Sequence, residues 1–182
     1  SLNTQHIAAD ITLSPTAEAR IEVNEVSRIF QYENEAGIVY LEPNKQKDRI
    51  RSGIHLSQAD IRNLQISECK EANPSITFRY TATSNQYGHK TGNRLFIPAN
   101  VFRKEFSVPP LTKRTYPIHI DYGYTDTDSI RIQLPEGYVI EGLPKPLDVK
   151  SKFGSFHSDI QVKDKKICIV HRLFMSKGVY SP

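Results

Sequence analysis

Alternation of apolar and polar residues with a period of two is the feature that most limits how this chain can fold. In residues 75–82, SITFRYTA, an apolar side chain stands at every second position from Ile76 to Ala82. Residues 7–13, IAADITL, have the same period. Because successive side chains of a strand point to opposite faces of a sheet, the alternation predicts half-buried strands. We therefore expect a mainly β fold.

The first half, residues 1–108, is expected to be a β-rich subdomain of the order ββαββ, an α+β arrangement. Residues 7–13 and ARIEVNEV flank the turn SPTAE, which favours an antiparallel hairpin. One helix is predicted near 43–55, because Pro43 suits a first helical turn and Ile50 and Ile54 recur at helical spacing. Strands resume in DIRNLQIS and SITFRYTA.

The second half, residues 109–182, is predicted to be an antiparallel β-sandwich. FSVPPLTKRTYP resembles a linker, since proline cannot donate to a sheet ladder, and we place the domain boundary near residue 108. Six short strands follow, separated by turn residues: YPIHIDY, DSIRIQL, YVIEGL, LDVKSKF, SFHSDIQV and KKICIVHRLFM. In LPEGY, Pro135 would end a strand, Gly137 would allow the turn and Tyr138 would restart the next strand.

Composition and charge narrow the function classes. The chain has 182 residues, 38% of them hydrophobic and 24% charged, as expected of a globular protein. Its net charge of +4 is scattered, and the basic run at Lys45–Arg51 lacks the aromatic residues of a nucleic-acid surface. No run of apolar residues is long enough to span a membrane. Cys69 and Cys168 lack zinc or redox spacing, and whether they pair stays open.

Two segments resemble ligand-binding loops but miss essential residues. GHKTG, residues 88–92, lacks the first glycine of a phosphate-binding loop and is followed by a strand, so a hairpin turn is expected. DYGYTDTDS offers Asp121, Asp126 and Asp128 to calcium, but it lacks the glycine and the closing glutamate of an EF-hand. A solvated turn is the simpler interpretation. We expect no metal and no cofactor.

No catalytic constellation is evident, and we expect the chain not to be an enzyme. Cys168 and His171 differ by three positions in one predicted strand, so their side chains should point to opposite faces. His119 and His157 are further histidines elsewhere in the sequence. A surface for ligand binding or docking is a further hypothesis, carried by four tyrosines: Tyr116, Tyr122, Tyr124 and Tyr138.

The order of motifs in the second half resembles a known family. NRLFIPANVF is followed by RTYPIHIDYGYTDTDSIRIQLPEGYVIEGLP and then by FGSFHSDIQVKDKKICIVHRLFMSKGVY. This succession is similar to the C-terminal domain of unknown function that follows a transglutaminase-like, papain-fold core in secreted proteins of Gram-negative bacteria. The first half resembles, more loosely, the segment that joins the core to that domain.

The resemblance implies an extracytoplasmic, periplasmic or surface-attached location and a chain cut from a longer protein. It also implies a helical tail after Tyr180, so we expect the domain to be truncated. Our first hypothesis is a noncatalytic accessory module that packs on or positions the transglutaminase-like or protease-like core of the same polypeptide. The alternative is a recognition module that binds a cell-envelope glycan or peptide through sandwich loops.

Overall fold

The computed structural model describes residues 2–102 and 115–181 and is mainly β. These residues form twelve strands, two α-helices and a 3₁₀ helix. The first part contains β1 (Thr4–Leu13), β2 (Ala19–Arg28), α1 (Phe30–Glu35), the 3₁₀ helix (Ala36–Tyr40), α2 (Pro43–Ser52), β3 (Asp60–Cys69), β4 (Ser75–Ser84), β5 (His89–Thr91) and β6 (Arg94–Phe96). The second contains β7 (Ile118–Ile120), β8 (Tyr124–Gln133), β9 (Leu147–Ser151), β10 (Gly154–Lys163), β11 (Lys166–Met175) and β12 (Gly178–Tyr180).

One mixed sheet joins strands from both halves of the chain. Its order within the described residues is β3-β4-β2-β1-β8-β11-β10-β9. All neighbours in it are antiparallel except β1 and β8, which run parallel and pair from Thr4 with Thr125 to Thr12 with Gln133. The predicted boundary near residue 108 lies outside the described residues. The strands on either side of it nevertheless share one sheet and one hydrophobic core.

Most apolar side chains of the long strands lie on one face of this sheet. Ile11 of β1 is opposite Ile132 of β8, which in turn is opposite Ile167 of β11, and all three are buried. The other face carries polar side chains, among them Asp10 and Arg131, whose ion pair joins β1 to β8. Burying one face and hydrating the other is the arrangement that the period-two alternation predicts.

Helices, hairpins and loops cover the apolar face instead of a second large sheet. Ile38 of the 3₁₀ helix, Ile50 of α2 and Val101 belong to the same buried cluster as the strand residues. The antiparallel sandwich is therefore not confirmed, because β8, β11, β10 and β9 lie side by side in one sheet. The single-helix ββαββ order is not confirmed either, since α1 and the 3₁₀ helix precede α2. The helix predicted near 43–55 is α2, which ends at Ser52.

The LPEGY segment makes a turn but does not start a new strand. Gly137 has φ of +80°, which disfavours side chains with a Cβ, and the Tyr138 N–H donates to the Pro135 carbonyl oxygen at 3.3 Å. The strand predicted for YVIEGL is wrong: residues 138–146 run without ladder pairing before β9 begins at Leu147. Gly142, Pro144 and Pro146 interrupt the segment, and proline removes the donors a ladder needs.

Candidate functional site: an apolar groove

A groove with a volume of about 910 Å³ opens on the covered face of the sheet. Its floor is formed by β8, β11 and β10, one wall by β6 and the residues after it, and the other wall by the segment after the LPEGY turn. Most of the lining is aliphatic: Leu95, Ile97, Ala99, Ile132, Leu134, Val139, Ile140, Leu143, Ile160, Ile167 and Ile169. Phe96, Tyr138, Asn93, Arg94, Glu141, Gly137, Gly142 and Pro144 complete it. We call it the groove below.

Strand register brings the floor residues together. Ile132 lies opposite Ile167, and Ile160 lies opposite Ile169, so the side chains of each pair share a face. Ile132, Ile160 and Ile169 are at most 8% exposed. The floor is therefore part of the hydrophobic core and should be rigid.

The first wall is held by the β5–β6 hairpin and its surroundings. Its two strands are linked by Gly92 and Asn93, with Gly92 at φ +58°, as suits a tight hairpin turn. Behind the hairpin, the buried Tyr87 hydroxyl donates to the Pro98 carbonyl oxygen at 3.3 Å. The expected hairpin is present, but within GHKTG residues 89–91 form β5 and Gly92 belongs to the turn. Its function in the fold is to support this wall.

The rim combines an ion pair with exposed apolar side chains. Arg94 Nε of the first wall lies 3.0 Å from Glu141 Oε2 of the second, and both side chains are largely exposed. Phe96 is 59% exposed and Val139 is 83% exposed. An exposed ion pair contributes at most about 1 kcal/mol, so it can open with little free-energy cost. The groove is thus suited to apolar side chains that enter from outside.

The four predicted tyrosines do not form one surface. Tyr138 lines the groove, and its hydroxyl donates to the Pro15 carbonyl oxygen at 3.4 Å. Tyr124 is the first residue of β8, whereas Tyr138 lies beyond its last residue. At the usual rise of a strand, β8 is about 30 Å long, so its two ends are far apart. Burial raises the pKa of Tyr124, with a further contribution from Asp126. Tyr122 stacks on Phe30 at a centroid distance of 3.6 Å, and Tyr116 is exposed.

A smaller cavity of about 440 Å³, lined by both polar and apolar side chains, lies further along the same face. Asn100 Nδ2 donates to Asp128 Oδ2 at 2.6 Å and lies 3.1 Å from His171 Nδ1. Burial lowers the pKa of His171. Ser158 of β10 is the cross-strand neighbour of His171. These contacts make a polar network beneath the loop that carries Asn100.

The remaining candidate residues occupy separate places. Asp126 and Asp128 lie within β8 and not in a solvated turn, which corrects that interpretation: Asp126 accepts from Gln31 Nε2 at 2.6 Å. Cys168 is opposite Arg131 and His171 is opposite Asp128, so the two point to opposite faces, as predicted. His119 lies in β7, and His157 Nδ1 lies 2.8 Å from Asp148 Oδ1.

Both cysteines are free. Cys69 ends β3 and Cys168 lies in β11, five strand spacings apart, on the order of 24 Å. Disulfide formation requires Cα atoms within about 7 Å.

The charge of the basic run at Lys45–Arg51 is partly neutralised, because Arg49 pairs with Glu35 and Arg51 with Asp48.

In residues 2–102 and 115–181, no group of three His, Cys, Asp or Glu side chains is arranged to hold a metal ion. None of the described helices has the length and apolar character needed to cross a bilayer.

Comparison with known proteins finds a family model that matches the part of the chain containing the groove. Residues 93–182 match the family model of DUF3858. DUF3858 is described as a domain of unknown function with a solved structure. Every residue that lines the groove, from Asn93 to Ile169, falls inside the DUF3858 match. No curated protein and no solved structure matches the chain. The expected domain of unknown function is thus confirmed, while its transglutaminase-like neighbour and its secretion stay predictions.

Sequence reasoning did not identify the groove. Its two walls come from apolar-rich segments, NRLFIPA and YVIEGLP, and this richness is the one local sign of a groove in the sequence. Their placement together over β8 and β11 depends on the whole fold. The Arg94–Glu141 ion pair joins residues 47 positions apart and has no local signature.

Proposed function

We propose that this chain is a noncatalytic accessory module of a secreted transglutaminase-like or protease-like protein, and that it binds the catalytic core of that polypeptide through the groove. The observation that carries the proposal is the aliphatic groove with exposed Phe96 and Val139 at its rim, all within the DUF3858 match. An extracytoplasmic location, periplasmic or at the cell surface, is part of the proposal and rests on the resemblance of the second half.

The chemistry of the groove favours an apolar protein segment as its occupant. Its floor presents isoleucine side chains, and its charged lining residues, Arg94 and Glu141, pair with each other. Burying one large aliphatic or aromatic side chain contributes about 1.5–3 kcal/mol. Several such side chains would be needed for micromolar binding, which corresponds to about 8 kcal/mol. Tethering within one polypeptide would strengthen the contact further.

A recognition module for a cell-envelope peptide is the second candidate, and the same groove favours it. A glycan is less well supported, because sugar sites use aromatic platforms with convergent polar groups. Tyr124 lies at the start of β8 and Tyr122 just before it, and neither they nor Tyr116 line the groove with Tyr138. We therefore retain the peptide and not the glycan as the alternative ligand.

Calorimetric titration against the separately expressed transglutaminase-like core tests the proposal. We expect saturable binding with a Kd of about 1 µM or tighter for the unmodified chain. Val139→Glu at the rim should abolish it, since a carboxylate would have to be desolvated against apolar side chains. Val170→Glu is the matched control, because Val170 is also exposed but lies on the opposite face of the sheet.

Two results would contradict the proposal. Absence of both heat and co-elution would rule out docking on the core, and the unmodified groove would then be tested against apolar peptides. Equal binding by the Val139→Glu and Val170→Glu variants would show that contact occurs elsewhere.

A further inference from the structure

Among the described residues, strand β9 ends the eight-stranded sheet and has one side without a ladder partner. Within residues 2–102 and 115–181 its neighbour is β10, and no strand lies beyond it. All five of its residues are exposed, including Leu147 at 49% and Val149 at 48%. An exposed edge offers a row of N–H and C=O groups to any strand that can approach it.

The opposite edge of the sheet, β3, differs from β9 in ways that hinder pairing. Its register shifts between Arg62 and Gln65, and Asn63 has φ of +53°. Arg62 and Asp60 form an ion pair along the edge. Bulges and charges of this kind are common means of blocking edge-to-edge contact. By contrast, β9 pairs with β10 in unbroken register from Leu147 to Ser151.

We propose that β9 is a self-association site, at which two copies of this chain join their sheets by antiparallel pairing centred on Val149. This surface is separate from the groove, and the inference does not depend on the proposed function. Two-fold symmetry puts residues of the same sheet face opposite each other, which limits the possible registers.

Charge selects one of these registers. With Val149 opposite its own copy, Asp148 lies opposite Lys150 of the second copy, and this pair occurs twice by symmetry. All five residues are then paired, because Leu147 lies opposite Ser151. An axis at Asp148 or at Lys150 would instead put like charges directly opposite each other, which is destabilising. The sequence LDVKS is thus self-complementary in the register centred on Val149.

Side-chain burial supports the same pairing. Val149 is the cross-strand neighbour of Phe156, so Leu147 and Val149 lie on the apolar face of the sheet. In the dimer, both copies would bring these half-exposed side chains together next to Phe156. On the polar face, Asp148 already lies beside His157 and would gain Lys150 of the second copy on its other side.

The dimer should be weak, because five residues a side bury less than the roughly 1,200–2,000 Å² of a stable interface. We expect sedimentation equilibrium from about 1 µM to about 1 mM to show the mass rising towards twice 20.7 kDa. Lys150→Asp puts carboxylates opposite each other in both symmetric pairs and should weaken the dimer at least about tenfold. The double exchange Asp148→Lys with Lys150→Asp restores opposite charges and should restore association.

Lys163→Asp is the matched control, since it makes the same charge change at an exposed position at the far end of β10. Circular dichroism of each variant confirms that the sheet is retained. A chain that stays monomeric over the whole concentration range would overturn the proposal. A dimer whose Kd responds equally to Lys150→Asp and Lys163→Asp would also overturn it, because association would then use another surface.

Discussion

At the residue scale, Asn100 decides which tautomer the neutral His171 ring adopts. The Asn100 Oδ1 atom accepts from the Phe102 N–H at 2.7 Å, so its Nδ2 group faces Asp128 and His171 Nδ1. Because Nδ2 is only a donor, Nδ1 must accept, and the imidazole proton lies on Nε2. Protonating Nδ1 would set two donors against each other. Burial of the ring lowers the pKa of His171.

We predict that His171 makes the folded state less stable as the pH falls. The unfolded chain takes up a proton near pH 6.5, whereas folded His171 does so only at lower pH. The free energy of unfolding should therefore decrease as the pH falls below about 6.5. His171→Gln should decrease that dependence in urea unfolding measured from pH 7.5 to about 5.

His119→Gln, at an exposed histidine, controls for the loss of a histidine. Asp126, Asp128 and His55 line the same cavity and remain in the His171→Gln variant, so the difference between the two pH profiles isolates His171. Identical profiles for the His171→Gln variant and the unmodified chain would contradict the prediction.

At the scale of elements, the β5–β6 hairpin and the segment at 138–146 determine whether the groove exists. Neither belongs to the large sheet, and each packs on it through apolar side chains. The hairpin depends on a close backbone approach at Gly88. A Cβ added there would lie 2.4 Å from the Phe96 carbonyl oxygen and 2.9 Å from Ile97 Cγ2.

We predict that Gly88→Ala displaces the hairpin and costs about 1–3 kcal/mol of unfolding free energy, the usual range for overpacking. Gly142→Ala, in the other wall, is the control, because a Cβ there meets no atom within 4 Å. That variant should change stability by less than about 0.5 kcal/mol. Urea unfolding measures both. Equal stabilities would show that the hairpin can shift freely, and the groove wall would not be fixed.

At the scale of the whole molecule, the parallel pairing of β1 with β8 makes the two halves interdependent. Beyond β8, the strands β11, β10 and β9 continue the sheet, and Ile130, Ile132 and Ile169 complete the buried cluster that begins with Ile7 and Ile11. Separating the two halves would expose these isoleucines to water. It would also leave the side of β1 that faces β8 without hydrogen-bond partners. Their folding should therefore be coupled.

We predict that residues 1–102 alone do not unfold cooperatively in urea, because β1 loses β8, one of its two neighbours, and the core loses the side chains of β8 and β11. Adding an equimolar amount of residues 103–182 should restore a cooperative transition followed by circular dichroism. A cooperative transition of residues 1–102 alone, at the midpoint of the complete chain, would contradict this and support a boundary near residue 108 that separates independent domains.

Several elements could be predicted from local pattern. Alternation located β1, β2 and β4, and turn residues between short strands located β8, β10 and β11. Pro43 marked the start of α2, and Gly137 marked the turn after β8. The candidate site was harder to predict from the sequence. Tyr138 is the predicted tyrosine that lines the groove, and the aliphatic residues that dominate the lining resemble ordinary core residues in sequence. Exposure of Phe96 and Val139 cannot be inferred from residue type.

The sequence by itself determined which face of each long strand is buried, because side-chain alternation is a property of a few adjacent residues. The tertiary structure alone decided which strands become neighbours, since many strands with a similar apolar face can pair at similar free energy. It thereby placed β8 beside β1 in one sheet in place of a separate sandwich. It also laid residues 137–144 opposite the β5–β6 hairpin, because only long-range packing brings segments far apart in sequence over one floor.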